Sequence, residues 1–242
     1  MQRLPDIPLS RLASLPPQTR IYAIGDIHGR ADLLTDLIAR IDDDVQRRPI
    51  DQVIEIYLGD YIDRGADSRG VIDMLATRLV NNSAICLRGN HEVMWDAFLQ
   101  DPSTLRDWAP MGALPTLEAY DVPLTPKKTP AELHRLLGER MPRAHELFLQ
   151  CLRDSFMCGD FFFVHAGIRP GVPLADQQPN DKHWIRNEFL NSTDDHGCFV
   201  VHGHTPVPHP DIRSNRINID TGAWKTGVLT CIAIEGTDIM IL

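Results

Sequence analysis

The sequence predicts an α/β fold. Two observations carry the prediction. A strand, a loop and a helix follow one another three times between Ile21 and Leu99. Each of the three loops opens at the C-terminal end of its strand on a polar motif that contains glycine. This order argues for parallel strands joined by right-handed crossovers. In such sheets ligands bind beyond the strand C-termini.

Taken in order, residues 1–20 are rich in proline and polar groups and read as an extended arm, with residues 21–242 as one domain. Residues 21–24 are a short apolar strand. A turn follows, then a helix whose Leu33, Leu34, Leu37, Ile38 and Ile41 keep helical spacing. Residues 53–58 are a second strand, and Ser68 suits the N-cap of a helix through residue 79. Residues 84–87 form a third strand, followed by a helix from near His91 to about Leu99. Residues 101–155 hold prolines and helical stretches at 131–137 and 143–152 but no motif residue. They read as a helical insertion or cap that shapes access rather than performs chemistry. Strand pattern resumes at 156–165, with a hairpin turn at Gly159 and Asp160. Further strands are expected at 199–202, 217–219, 228–234 and 238–242, the last ones antiparallel through turns at 225–227 and 235–238.

With 242 residues, one core can bury most of the apolar surface without disulfides. The five cysteines are odd in number and form no CxxC, which suits a reducing compartment. Cys86 and Cys231 sit in apolar runs and read as buried thiols. No leader pattern or membrane-length apolar run is present, so a cytoplasmic protein with no membrane partner is expected. The net charge of −9 argues against nucleic acid as a partner. It leaves phosphorylated substrates open.

Five motifs stand out in a fixed order: GDIHG at 25–29, GDYIDRG at 59–65, RGNHE at 88–92, HAG at 165–167 and HGHT at 202–205. They supply Asp26, His28, Asp60, Asn90, His165 and His204, close to a full ligand list for two adjacent divalent metals. Asp26 and His28 lie two apart after a strand, so an extended segment directs both to one ion. A mixed carboxylate and imidazole set suits Mn2+, with Fe, Zn, Co or Ni as alternatives. Asp60 is the natural bridging ligand. Asp63 can orient a histidine, and Arg64 can grip phosphate oxygens, although an internal Asp–Arg pair on a surface loop accounts for both equally. Asn90 offers a neutral oxygen ligand and an amide donor for phosphate. His91 follows directly and points elsewhere, which frees it to act as a general acid. Glu92 suits the positive start of the next helix. Arg88 suits either phosphate or an ion pair. His202 is two residues from His204 and reads as its supporting or buried neighbour. His134, His145, His183, His196 and His209 carry no such context and read as surface or packing residues.

The series resembles the signature of the phosphoprotein phosphatase family within the calcineurin-like metallophosphoesterases, in a compact bacterial or phage-like branch. GDYIDRG and GNHE are similar to its serine/threonine phosphatase members. Symmetrical diadenosine tetraphosphatases are similar too, but usually lack the aspartate matching Asp63 and read GNHD. His183 to Arg186 resembles a W-x-R element of compact members, which makes Arg186 a second phosphate-binding arginine. The resemblance implies a four-layer fold, a central β-sandwich of mixed sheets flanked by helices. It implies Asp26, His28 and Asp60 on one metal, and Asp60, Asn90, His165 and His204 on the other. The choice of His204 over His202 rests on it.

The expected activity is metal-dependent phosphomonoester hydrolysis on a phosphorylated protein or small phosphoester. The resemblance implies a hydroxide activated by two metals and attacking in line, phosphate held by Arg64, Arg186 and Asn90, and a leaving group protonated by His91 that Asp63 orients. Two alternatives stand beside it. One is a symmetrical dinucleoside polyphosphate hydrolase, whose phosphate leaving group needs little acid. The other is a non-catalytic binding protein on the same fold, which would be expected to have lost ligands or the acid.

Overall fold

The computed structural model describes residues 2–3, 13–81 and 84–242. In chain order the main elements begin with β1 (Gln2–Arg3), β2 (Thr19–Ile24), α1 (Ala31–Arg47), β3 (Gln52–Tyr57), α2 (Ser68–Asn81), β4 (Ala84–Cys86) and α3 (Asn90–Gln100). The insert supplies α4 (Leu105–Trp108), α5 (Leu114–Ala119), α6 (Pro130–Arg140) and α7 (Arg143–Cys151). Then come β5 (Ser155–Cys158), β6 (Phe161–Val164), α8 (Pro179–Trp184), α9 (Asn187–Leu190), β7 (Phe199–His202), β8 (Asp211–Ile212), β9 (Arg216–Asn218), α10 (Ala223–Thr226), β10 (Cys231–Glu235) and β11 (Asp238–Ile241).

The strands form two mixed sheets. One runs β1-β11-β10-β2-β3-β4, with β2, β3 and β4 parallel as the three strand–helix repeats require. The other runs β5-β6-β7-β9-β8, with β6, β7 and β9 parallel. Alternation of side chains divides the core into layers. Ile21, Ala23, Ile54 and Ile56 of the first sheet meet Phe161, Phe163, Val201 and Ile217 of the second. Tyr22, Ile24 and Tyr57 face the other way, onto Leu34, Leu37 and Ile41 of α1 and Val71, Ile72 and Leu75 of α2. The outer face of the second sheet, Phe162, Val164 and Val200, is covered by Ile185 and Phe189. The result is the helix, sheet, sheet, helix stack that the resemblance implied.

Three expectations need adjusting. Half of the proposed arm over 1–20 lies outside the described residues, but its described part is built in. Ala13 and Leu15 are buried in the layer between the sheets, and the Leu15 amide donates to the Gly236 carbonyl. The antiparallel pairing expected at the chain's end holds for β10 with β11 but not for β9 with β10, which lie in different sheets. Ile217 pairs with Val201 of β7, so residues after β9 must cross between sheets. Residues 225–227 therefore close α10, ending on left-handed Gly227, and are not a hairpin turn. Strand β8, a two-residue pair with β9, is too short to have shown a pattern.

Candidate metal centre

The polar motifs all lie at one end of the sandwich. Asp60 follows β3, and Asn90 opens α3 after β4. His165 follows β6, and His204 follows β7. Two clusters of ligand-type atoms form there, each within 4.8 Å: His28, Asp60 and His91, and Asp60, His165 and His204. Asp60 belongs to both. Asn90 Oδ1 sits 2.8 Å from His204 Nδ1 and 3.0 Å from His165 Nε2. All of these side chains are buried.

Backbone strain is concentrated here. Among the described residues seven non-glycines have positive φ, and five of them are His28, Asp60, Asp63, Arg64 and His204. Such conformations cost about 1–3 kcal/mol each and persist where surrounding contacts over-determine them. The contacts are present. The His28 amide donates to the Asp60 carbonyl at 2.8 Å. The Glu92 carboxylate accepts from the amides of Asp60, Tyr61 and Gly89 at 2.9, 2.8 and 3.0 Å. Gly59 has φ of 110°, and a Cβ there would lie 2.8 Å from His165 Nδ1.

The protonation pattern suits cation binding. His28 Nδ1 donates to the Ile62 carbonyl and His165 Nδ1 to the Leu58 carbonyl, leaving each Nε2 lone pair facing the clusters. Burial pushes His28 down to about 3 and His204 to about 2, and lowers His165, so these imidazoles stay neutral. Burial opposes the charge on Asp60, but it is nonetheless held far below the ordinary carboxylate range, with His91, the one histidine here held above its ordinary value, close beside it. Burial, with Asp220 and Asp60 nearby, raises Asp26 well above that range. Burial likewise pushes Asp220 up to about 6. Three carboxylates and three neutral imidazoles share this buried site, and divalent cations fit that donor set.

The structure brings most of the sequence-predicted residues together. Arg64 Nη1 donates to His28 Nε2 at 2.9 Å and its Nη2 lies 3.0 Å from His91 Nε2. Arg186 Nε donates to His204 Nε2 at 3.2 Å. His91 Nδ1 donates to Asp63 Oδ2 at 2.6 Å. Burial opposes charge on His91, but Asp60 and Asp63 outweigh it and hold this histidine above its ordinary value. Asp26 belongs to neither cluster but borders them: its carboxylate accepts from the His204 amide at 3.1 Å and neighbours Asp220 and Asp60. His202 turns away, its Nε2 lying 3.3 Å from Arg216 Nη1. Arg88 pairs with Asp96 and donates to the Leu149 carbonyl, so the ion-pair reading applies.

Some contributors were not foreseen. Asp220 follows β9 at the site's floor, and its sequence context, a lone Asp before Thr-Gly, resembles any turn. Trp108 and Thr116, from the insert expected to shape access, both donate to the Asp63 carboxylate. Trp224 stacks 5.5 Å from the Arg64 guanidinium.

Comparison with known proteins agrees with this fold. The family profile described as calcineurin-like phosphoesterase matches residues 19–226. Serine/threonine-protein phosphatase 1 of Salmonella typhimurium is 29% identical over 230 residues, covering 89% of this chain and 92% of its own. The asymmetrical bis(5'-nucleosyl)-tetraphosphatase of Bacillus cereus is 29% identical over 225 residues, covering 86% of this chain and 87% of its own. The crystal structure of a cold-active protein-tyrosine phosphatase from a Shewanella species superposes with a TM-score of 0.63 at 15% identity, covering 98% of this chain and 83% of its own. That level of identity speaks to the fold alone.

Proposed function

The chain belongs to the calcineurin-like phosphoesterase family, whose members use a binuclear divalent metal centre, and from that premise we propose a serine/threonine protein phosphatase. One observation carries the choice: the buried Asp63–His91 pair, with His91 Nε2 beside Arg64. A serine or threonine alkoxide is a poor leaving group and needs a proton. A phosphate leaving group needs little help.

In this reading Asp26, His28 and Asp60 hold one ion, and Asp60, Asn90, His165 and His204 the other. When bound, the ions supply Lewis acidity at the phosphoryl oxygens and a water acidified towards neutrality. Arg64 and Arg186 grip the remaining phosphate oxygens, and the Asn90 amide donates to one of them. His91 Nε2 gives its proton to the departing oxygen, while Asp63 holds Nδ1–H and so fixes which face of the ring points inward. General acids of this kind contribute about 10²–10⁴-fold. Residues 101–155 act as a cap over this end of the sandwich. Manganese is the metal we propose first, since it accepts carboxylate, imidazole and amide ligands together.

A second reading has support from relatives rather than from geometry. Several are named asymmetrical bis(5'-nucleosyl)-tetraphosphatases, so cleavage off the centre of the chain is the form to weigh, not the symmetrical one. A substrate panel with manganese, iron, zinc and cobalt in turn separates the two. Phosphoserine, phosphothreonine and phosphotyrosine peptides are set against diadenosine tetraphosphate, with nucleotide products resolved by chromatography. Faster turnover of phosphoserine and phosphothreonine supports the proposal. Preferred release of AMP and ATP from the dinucleotide would replace it.

A further inference from the structure

The insert reaches the acid through two side chains. Thr116, on α5, donates its hydroxyl to Asp63 Oδ1 at 2.6 Å and accepts the Asp63 amide at 2.9 Å. The one hydroxyl therefore touches both ends of a residue whose φ is 73°, with Ser68 Oγ sharing the Asp63 amide at 3.1 Å and lying 3.0 Å from Thr116 Oγ1. Trp108, on α4, donates Nε1–H to Asp63 Oδ2 at 2.7 Å, the same oxygen that receives His91 Nδ1. Trp108, Thr116, Asp63 and His91 are all fully buried. The segment between them also holds the neighbouring arginine, since the Arg64 amide donates to the Gly112 carbonyl at 3.0 Å.

We infer that Trp108 and Thr116 are positioning residues for the leaving-group acid: they lock the Asp63 carboxylate in the one orientation that directs His91 Nε2 into the site. This rests on the reading of His91 as the acid. A carboxylate on a left-handed residue has no local reason to face an imidazole. With its hydroxyl and indole donors in place, rotation about the Asp63 side chain breaks two hydrogen bonds to charged oxygen, each stronger than a neutral one. The docked insert thus controls a proton transfer without touching substrate.

The test compares Thr116→Val, Thr116→Ser and Trp108→Phe with His91→Ala in the manganese-loaded protein. Each is assayed on a phosphoserine peptide and on aryl phosphates of graded leaving-group acidity. Thr116→Val keeps shape and removes both of its hydrogen bonds to Asp63, while Ser68 Oγ still accepts from the Asp63 amide. It should lower kcat on phosphoserine about tenfold and on the best aryl phosphate less than about threefold, a fraction of the range a full general acid spans. KM and bound metal should change little, and Thr116→Ser should recover most of the loss. Trp108→Phe should show the same dependence on leaving group. In the zinc-loaded protein, the downfield proton NMR signal of His91 Nδ1–H should shift in Thr116→Val and return in Thr116→Ser. If His91→Ala depends on the leaving group but Thr116→Val and Trp108→Phe lose equally on all substrates, the positioning role is overturned and the acid stands. If His91→Ala itself loses equally on all, both fall.

Discussion

Glu92 shows how much one side chain can organise. Its carboxylate is buried and satisfies three amides, two from the loop after β3 and one at the start of α3. Burial, with Asp60 close by, pushes it up to about 7. Glu92→Gln keeps the shape but turns an NH2 group towards backbone donors. Loss of a buried acceptor of charged character costs about 1–3 kcal/mol. Urea unfolding of the metal-free protein should show a loss in that range, and an unchanged midpoint would contradict it. Gly59 is the complementary case, needing space rather than a partner. Gly59→Ala should cost about 1–3 kcal/mol through its left-handed backbone and displace His165, so titration calorimetry should register weaker metal binding. The candidate ligands were legible in the sequence because each stands within two residues of a glycine near the end of an apolar run. Asp220, Trp108 and Thr116 were not, because their role depends on what they touch across the fold. No spacing rule links Thr116 to Asp63.

At the scale of elements, α1 is fixed to β2 by a polar knot beneath its C-terminal turn. Asp44 accepts from Tyr22 and from Arg48, and Arg20 lies alongside with its Nη1 on the Arg48 carbonyl at 2.7 Å. Burial opposes the charge on Asp44, but Arg48, Tyr22 and Arg20 outweigh it and hold its carboxyl below the ordinary value. A depressed folded value means stability that is present above the unfolded carboxylate pKa and lost as pH falls through the folded one. Asp44→Asn should therefore cost about 1–3 kcal/mol at pH 7, with the gap from the parent protein closing below about pH 4. A constant gap from pH 7 to 3 would contradict this account. The helix itself was readable from its apolar spacing; the knot was not, since Asp44 is one of three consecutive aspartates and nothing in their order marks it as the buried one. The parallel strands β2, β3 and β4 were readable from the repeated order of elements. The crossing from β9 to β10 was not, because nothing in two short apolar runs says which sheet each will join.

For the whole molecule, the candidate ligands come from both sheets: Asp60 and Asn90 from the ends of β3 and β4, His165 and His204 from the ends of β6 and β7. Bound ions would tie the two layers together and neutralise the crowded carboxylates. A ligand that binds only the folded state at 100 times its Kd adds about 2.7 kcal/mol. Stripping metal with a chelator should lower Tm by several degrees, and returning manganese should restore it. Among the described residues, no helix is long and apolar enough to cross a membrane.

Strand β10 lies between β11 and β2, in the interior of its sheet, although most of the described chain separates it in sequence from β2. On the ribosome, β2, β3 and β4 can assemble long before it emerges. Until then β2 presents a bare edge of unpaired amides and carbonyls, the kind of surface on which nascent chains stick to one another. His204 also arrives late, so a growing chain cannot complete its ligand set. A message cut short before Cys231 would yield a polypeptide that carries every motif yet exposes that edge. Such a product would be expected in inclusion bodies or on chaperones, not in the active pool.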